Sequence, residues 1–533
     1  MMSAYDFPLL IKKLLLTPLT RGSDKEIVYR DGSRYGYPTL RDRIGRLGSA
    51  LTGLGVRPGD TVAMMDWDSH RYLECYFAVP MLGAVLQTVN VRLSNEQIVY
   101  CINHAEASIL ICNLDFLSAY EAIRSELKVE RVIWISETGP LPAGLPGLGE
   151  YEQVISRGDP RHAFADFDEN TPATRFYTTG TTGLPKGVSF SHRQLVLHAL
   201  STLAVIRLSG DDDVYMPMTP MFHVHAWGFP YTATLAGCKQ VYPGRYVPEI
   251  LLGLVRDEKV TITHCVPTIL QMLLTSPAIN GVDLRGLRMI IGGSAMPRAL
   301  CEAALERGID VFTGYGMSET CPLLAVSPVP SRLHGTDEEV VTRMKAGQAL
   351  PLVELRVVDF DLADVPHDGV TPGEVIARAP WLTQSYYKNP EATETLWEGG
   401  YLHTQDIGVM NDQGYLQITD RLKDVIKTGG EWVSSLEIES IISQLPGVAE
   451  VAVIGLSDVK WGERPAAIVV KRFGAKLEAA DVREQVMRHV TLGAISKFAV
   501  PEHVYFTEEL PKTSVGKLNK RDLRRTFASP APV

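Results

Sequence analysis

Residues 177–187 read YTTGTTGLPKG. Four threonines, three glycines and one lysine fall within eleven positions. Glycines let successive backbone amides converge on one anion, the hydroxyls of Thr178, Thr179, Thr181 and Thr182 add donors, and Lys186 supplies charge. The stretch therefore suits a phosphate, with a polar surface turn as the alternative reading. It is not the common nucleotide loop GxxxxGK[ST], because Pro185 precedes the lysine and Gly187 follows it. Upstream, residues 174–178 have the composition of a strand feeding the loop. Downstream, residues 192–205 have helical spacing. This strand and helix continue the alternation of an α/β fold.

The same alternation extends in both directions. Residues 39–54 have helical periodicity, 61–65 fit a strand, 69–82 a helix and 83–89 a strand. Ser94 opens another helix, with Gln97 as its capping-box partner, and 109–112 follow as a strand. After the loop, strands are expected at 213–218, 239–242, 288–291 and 311–313. The last two run into glycine-bearing turns, Gly292-Gly293-Ser294-Ala295 and Gly314-Tyr315-Gly316. The fold expected is a large N-terminal α/β domain of several subdomains with mostly parallel sheets. Past residue 345 the texture becomes β-rich, with strands at 353–358 and 373–379. Helical 435–448, strand-like 448–456 and helical 479–491 then make a small α+β module. Asp420-Arg421-Leu422-Lys423-Asp424 is the candidate linker. The division is thus 1–420, a hinge at 421–425 and a mobile domain at 426–533.

A chain of 533 residues, 45% apolar and 21% charged, is long enough for several cores. Its formal net charge of -10 and lack of a Lys/Arg block argue against nucleic acid, though not against an anionic small substrate. The seven cysteines have no CxxC spacing, which suits reduced thiols in the cytoplasm rather than zinc or iron–sulfur ligation. FPLLIKKLLLTPL (residues 7–19) is interrupted by two lysines and reads as a short amphipathic helix, not a signal peptide. The later apolar run at 76–86 is too short to span a bilayer.

Five motifs in order resemble those of the adenylate-forming acyl-CoA synthetases, and the resemblance covers nearly the whole chain. They are the loop at 177–187, GYGMSET at 314–320, YLHTQDIG at 401–408, DRLKD at 420–424 and PKTSVGK at 511–517. Most members of the family carry glycine where this chain has Gln405. The resemblance implies two steps. A carboxylate attacks the α-phosphate of ATP to give acyl-AMP and pyrophosphate, and then the thiol of coenzyme A displaces AMP. The small domain is expected to rotate between the steps.

By the same resemblance, Thr178, Thr179, Gly180, Thr181, Thr182, Gly183 and Lys186 hold phosphates, and Glu319 with Thr178 holds Mg²⁺. Gly292, Gly293, Ser294 and Ala295 border the adenine, and Tyr315 stacks on it within Gly314, Gly316, Met317, Ser318 and Thr320. Asp406 accepts the ribose hydroxyls, with Ile418, Arg421 and Lys423 near the nucleotide. Gly429, Gly430, Glu431 and Trp432 line the thiol channel. Lys517 neutralises the charge that develops at the α-phosphate.

In MFHVHAWG (221–228), His223 resembles the histidine beside the acyl carbonyl. Trp227 resembles the gate of fatty acyl members, with hydrophobic core as the alternative. His225 reads as a structural, hydrogen-bonding histidine. His223, Trp227 and Gly293 form the expected acid pocket. Short- or medium-chain acids are the leading substrates, 3-methylmercaptopropionate a named one, and long-chain fatty acids the alternative. One methylene is worth only about 1–3 kcal/mol, so several acids are expected to be accepted. A homodimer is expected by resemblance. A non-catalytic nucleotide sensor is the competing class, and it has no use for Lys517 or the thiol channel.

Overall fold

Two large sheets carry the N-terminal part, and their strands are apolar on both faces, as parallel strands covered by helices must be. The computed structural model describes residues 5–22, 24–30, 32–178, 184–359, 361–422, 424–428, 431–492, 495–512 and 518–527. Among these, a seven-stranded sheet runs in the order Gly149–Glu150, Val132–Ile135, Ala107–Asn113, Thr61–Met65, Val85–Thr88, Pro172–Thr178, Lys186–Ser191. All its neighbours are parallel except the last pair, an antiparallel hairpin in which Thr178 faces Lys186.

The second sheet has nine strands. Its parallel centre is Asp310–Gly316, Arg288–Ile291, Ile262–Cys265, Val214–Pro217, Lys239–Tyr242 and Glu26–Tyr29. Antiparallel strands close both edges.

The helix His70–Met81 shows how tightly this part is filled, since all twelve of its residues are buried. Ser69 caps it by accepting the Tyr72 amide. A glutamate within so buried a helix requires partners. Glu74 has them in Arg43 Nε at 2.6 Å and the hydroxyls of Tyr35 and Tyr151 at 2.7 Å. The predicted capping box at Ser94 and Gln97 is present, and a second one, Ser191 with Gln194, opens the helix His192–Ile206. At the N-terminus, the turn Ile11–Leu15 and helix Leu16–Thr20 bury Ile11, Leu14 and Leu15 against the body, as an amphipathic segment should. Among the described residues no helix is long and apolar enough to cross a membrane. All seven cysteines are buried and free.

The β-rich region is an antiparallel sheet of Glu354–Val358, Gly373–Arg378, Tyr401–Met410, Trp397–Glu398 and Leu416–Arg421. The smaller C-terminal β/α domain is built on the long hairpin Val448–Asp458 and Gly462–Lys471. Strand His503–Thr507 adds to it in parallel, and helices Ser435–Ser443 and Ala479–Thr491 pack on it. Asp420 joins the last strand of the β-rich sheet to this domain by accepting the Ser435 amide (2.6 Å) and hydroxyl (2.8 Å).

One expectation needs correction. The expected turn at Gly314-Tyr315-Gly316 is the end of the strand Asp310–Gly316, which pairs antiparallel with Leu323–Val326. Its glycines serve close approach rather than a turn: a β-carbon on Gly316 would stand 1.7 Å from the Pro322 carbonyl oxygen. Between the Thr/Gly loop and the helix from His192 the structure adds a strand that the sequence did not indicate. The loop closes a hairpin whose second strand, Lys186–Ser191, precedes the helix.

Candidate active site

The strands Val214–Pro217, Ile262–Cys265, Arg288–Ile291 and Asp310–Gly316 end around one cavity of about 70 Å³. Its walls include Thr219, His223, Trp227, Val266 and Gly293, with Met317 and Ser318 beyond the end of the last strand. Gly292 must be glycine, because a β-carbon there would lie 2.9 Å from both the Gly314 carbonyl oxygen and Cη2 of Trp227. The indole is therefore seated directly over the Gly292 backbone. Ser294 and Ala295, expected beside the nucleotide, are exposed on the turn and do not line this cavity.

The segment carrying Trp227 has an unusual backbone. Val224, His225, Ala226 and Trp227 have φ of 48°, 56°, 48° and 58°, and Gly228 continues the left-handed turn at 74°. A left-handed turn costs an L-residue roughly 1–2 kcal/mol, so four in succession are held by their surroundings. Those surroundings are aromatic. The indole of Trp227 stacks on His264 at 4.9 Å, and His264 stacks on Phe229 at 4.5 Å. Tyr215 and Thr219 hydrogen-bond the two ring nitrogens of His264.

The rings of Tyr76, Phe176, Phe190 and Tyr231 surround His225. The expectation that His225 is a hydrogen-bonding histidine fails, since neither ring nitrogen has a partner among the described residues. Burial, followed by the neighbouring His198 and His223, pushes it down to about 3, so the ring is neutral.

Glu319 follows the same glycine-bearing strand and is 6% exposed. The Tyr386 hydroxyl donates to its Oε1 at 2.6 Å. Burial and the Glu319 carboxylate both push that phenol upward, so it remains a donor. Lys186 Nζ sits 4.7 Å from the centre of the Tyr386 ring. Gly187 accepts the Tyr387 amide at 2.8 Å. Tyr386 thus spans from the base of the Thr/Gly loop, where half-buried Thr178 pairs with Lys186, to the Glu319 carboxylate. Thr320 braces the turn, its hydroxyl accepting the Met317 amide at 3.0 Å.

On the β-rich sheet, Asp406 and Arg421 face one another across two strands, with Arg421 Nε 3.3 Å from Asp406 Oδ1. Tyr315 donates to Asp406 Oδ2 at 2.8 Å, and Ile418 packs in the same small cluster as the Tyr315 ring. This unites the second and third motifs through two residues 91 positions apart. Gln405, in the position where glycine is usual, has φ of 58°, so this chain accepts left-handed strain to aim Asp406.

Thr179, Gly180, Thr181, Thr182, Gly183, Lys423, Gly429, Gly430 and Lys517 lie outside the described residues, as do the side chains of Glu431 and Trp432. Tyr386 and His264, together with Tyr246 in the cavity wall and Asp68 bonded to its hydroxyl, are not indicated by the sequence. None belongs to a spaced motif. For Tyr386 the signal available was a tyrosine pair just before the Asn389-capped helix Pro390–Leu396.

Residues 18–387 match the AMP-binding enzyme family, and residues 437–517 match the AMP-binding enzyme C-terminal domain. The chain belongs to this adenylate-forming family and is an AMP-forming acyl-CoA ligase, taking ATP, a carboxylic acid and coenzyme A through an acyl-AMP intermediate. It is 42% identical to a long-chain-fatty-acid–CoA ligase of Thermus thermophilus, over 94% of this chain and 93% of the relative. It is 39% identical to a 3-methylmercaptopropionyl-CoA ligase of Ruegeria lacuscaerulensis, over 98% and 97%. The crystal structure of the anthranilate CoA ligase AuaEII in complex with anthranoyl-AMP superposes with a TM-score of 0.86 at 26% identity, over 98% of this chain and 99% of that one.

Proposed function

We propose that this ligase activates a fatty acid, with the long-chain reading ahead of the short- or medium-chain reading first drawn from the sequence. The observation that supports the long-chain reading best is the 42% identity to a long-chain-fatty-acid–CoA ligase over nearly the whole chain, and the feature it has to reckon with is Trp227, seated over Gly292 in the cavity wall. With the indole in place the cavity is about half the ~150 Å³ that accommodates a benzene ring. A long chain requires Trp227 to move aside, and the 42% identity to a long-chain ligase supports that reading. The small cavity itself favours a second reading, a short acid such as 3-methylmercaptopropionate. A methylthio terminus fits a short apolar slot, and the 39% identity supports it.

In this scheme His223 orients the acid carboxylate, and the Thr/Gly loop with Lys186 holds the departing pyrophosphate. Lys517 offsets charge at the α-phosphate, while Asp406 and Tyr315 hold the nucleoside. Glu319 and Thr178 offer the hard oxygen donors that suit Mg²⁺, and Tyr386 keeps the Glu319 carboxylate in place. Bound there, Mg²⁺ neutralises phosphate charge. Residues 421–425 act as the hinge between 1–420 and 426–533. The rotation about it brings Gly429, Gly430, Glu431 and Trp432 to the thiol. A cytoplasmic homodimer completes the proposal.

The test is acid-dependent release of AMP and pyrophosphate across saturated acids from about C2 to about C18, with 3-methylmercaptopropionate included. Wild type is expected to prefer the longer acids. Trp227→Ala should shift that preference and leave the KM for ATP unchanged. ADP release refutes the mechanism, and preference for 3-methylmercaptopropionate over every fatty acid replaces the first reading with the second.

A further inference from the structure

One buried carboxylate outside the motifs touches both flanks of the acid cavity. Asp68 lies three residues beyond the strand Thr61–Met65 and is 3% exposed. Its Oδ1 accepts the Met221 amide at 2.8 Å, and its Oδ2 accepts the Tyr246 hydroxyl at 2.5 Å. Its backbone carbonyl accepts the Gly244 amide at 2.9 Å. Met221 begins the segment that bears His223, and the Tyr246 ring lines the cavity. These two pieces of wall come from opposite sides of the strand Lys239–Tyr242 in sequence, and Asp68 is the group that both of them touch.

A carboxylate is chemically suited to this place. It offers two separate acceptor oxygens and, when ionised, no donor, so it accepts from an amide on one side and a phenol on the other with no proton of its own to satisfy. No cation lies within ion-pair distance of it among the described residues, and burial pushes it up to about 7 against the pull of Tyr246, Met221 and Arg92. Keeping such a group buried costs stability, so it calls for an explanation beyond packing. Its neighbour Asp66 is held separately by Ser69 and Asn113, within the first sheet.

We propose that Asp68 is a positioning residue of the acid site. It fixes the distance between the His223 segment and Tyr246, and so sets the width of the cavity and the choice among acids, without touching the acid itself. This rests on reading the cavity as the acid site.

The test compares Asp68→Asn, Tyr246→Phe and the double variant by acid-dependent pyrophosphate release. Asp68→Asn should raise the KM for the preferred acid about 10-fold or more, the scale of losing one charge-assisted hydrogen bond, and should change the ratio of kcat/KM between short and long acids. The KM for ATP should stay within about twofold. Tyr246→Phe should act in the same direction but less. The double variant should be no worse than Asp68→Asn alone, because the phenol acts through the carboxylate. If the acid KM and acid preference are unchanged, or if acid and ATP parameters decline together with thermal stability, Asp68 is structural only and the proposal fails. If Asp68→Asn does not fold, Tyr246→Phe, which removes one oxygen atom, decides by the same ratio. A wild-type protein that activates no acid refutes the cavity reading itself; an active wild type with unchanged variants refutes Asp68 alone.

Discussion

Gly316→Ala is the most direct test of how the second motif is built. A β-carbon at this position would stand 1.7 Å from the Pro322 carbonyl oxygen, 2.7 Å from its carbon and 3.1 Å from the Thr320 hydroxyl. A carbon and an oxygen in contact need roughly 3.2 Å or more, so the two backbone segments must separate by about 1.5 Å. The loop between them holds Ser318 and Glu319. The misfit has two readable consequences. Overpacking of this kind costs about 1–3 kcal/mol of stability. Displacing positioned groups by about 1 Å costs on the order of 10²-fold in rate. The assay is acid-dependent exchange of labelled pyrophosphate into ATP, which isolates the first half-reaction, together with a thermal melt. Gly253→Ala is the control. Gly253 lies in the helix Pro248–Glu258 with nothing within 4 Å of its β position, so alanine there should stabilise by about 0.5–1 kcal/mol and leave exchange unchanged. Gly316→Ala exchanging at more than a third of the wild-type rate would refute the view that this glycine is needed to place Glu319.

Tyr386→Phe removes the hydroxyl 2.6 Å from the Glu319 carboxylate and should slow pyrophosphate exchange by about 10- to 100-fold while raising the Mg²⁺ concentration needed for half-maximal rate; an unchanged Mg²⁺ titration counts against it. Stability should fall as pH drops below about 6.5. His198, His225 and His264 are held down to about 3 by burial, so their contribution is present above the unfolded value and lost on acidification. Asp66 and Asp68, raised to about 6 and 7 by burial, act in the opposite sense with Asp420, Glu437 and Glu439, favouring the fold below the unfolded value and losing that as pH rises through their folded values. But His70, His104 and His192 are lowered too, so the histidines outnumber them. A urea midpoint at pH 5 equal to or above that at pH 7 would contradict this balance.

Much of the architecture was legible because its periodicity is strong. Residues 61–65 and 479–491 are the elements the pattern indicated, and Ser94 caps where its spacing with Gln97 said it would. The hairpin strand Lys186–Ser191 was not legible. KGVSFS carries little apolar signal, and its pairing with Pro172–Thr178 is decided across the loop. The run of Asp310–Gly316 through its glycines was hidden for a similar reason, since glycine marks both turns and close approach, and only the position of Pro322 separates the two. At the site, ordered motifs indicated Glu319, Asp406 and Tyr315, and the separate stretch MFHVHAWG indicated His223. Single residues with no fixed spacing, Tyr386 and Asp68 among them, acquire their meaning from partners 67 and 153 positions away. His225 departs from its expected role because sequence does not distinguish a ring enclosed by aromatics from one with a hydrogen-bond partner.

The left-handed turn at residues 224–228 bears on any attempt to move acid specificity between proteins. Its handedness opposes what its own L-residues favour, so the shape is not encoded in MFHVHAWG itself. Tyr76, Phe176, Phe190 and Tyr231, scattered over more than 150 positions, enforce it from outside. Grafting the eight-residue stretch alone into another scaffold would transfer the letters and lose the conformation, and the indole would no longer meet the glycine beneath it. The transferable unit is the stretch together with its aromatic enclosure, so on the proposed reading of Trp227 acid choice belongs to a volume of the fold and not to a segment of the chain.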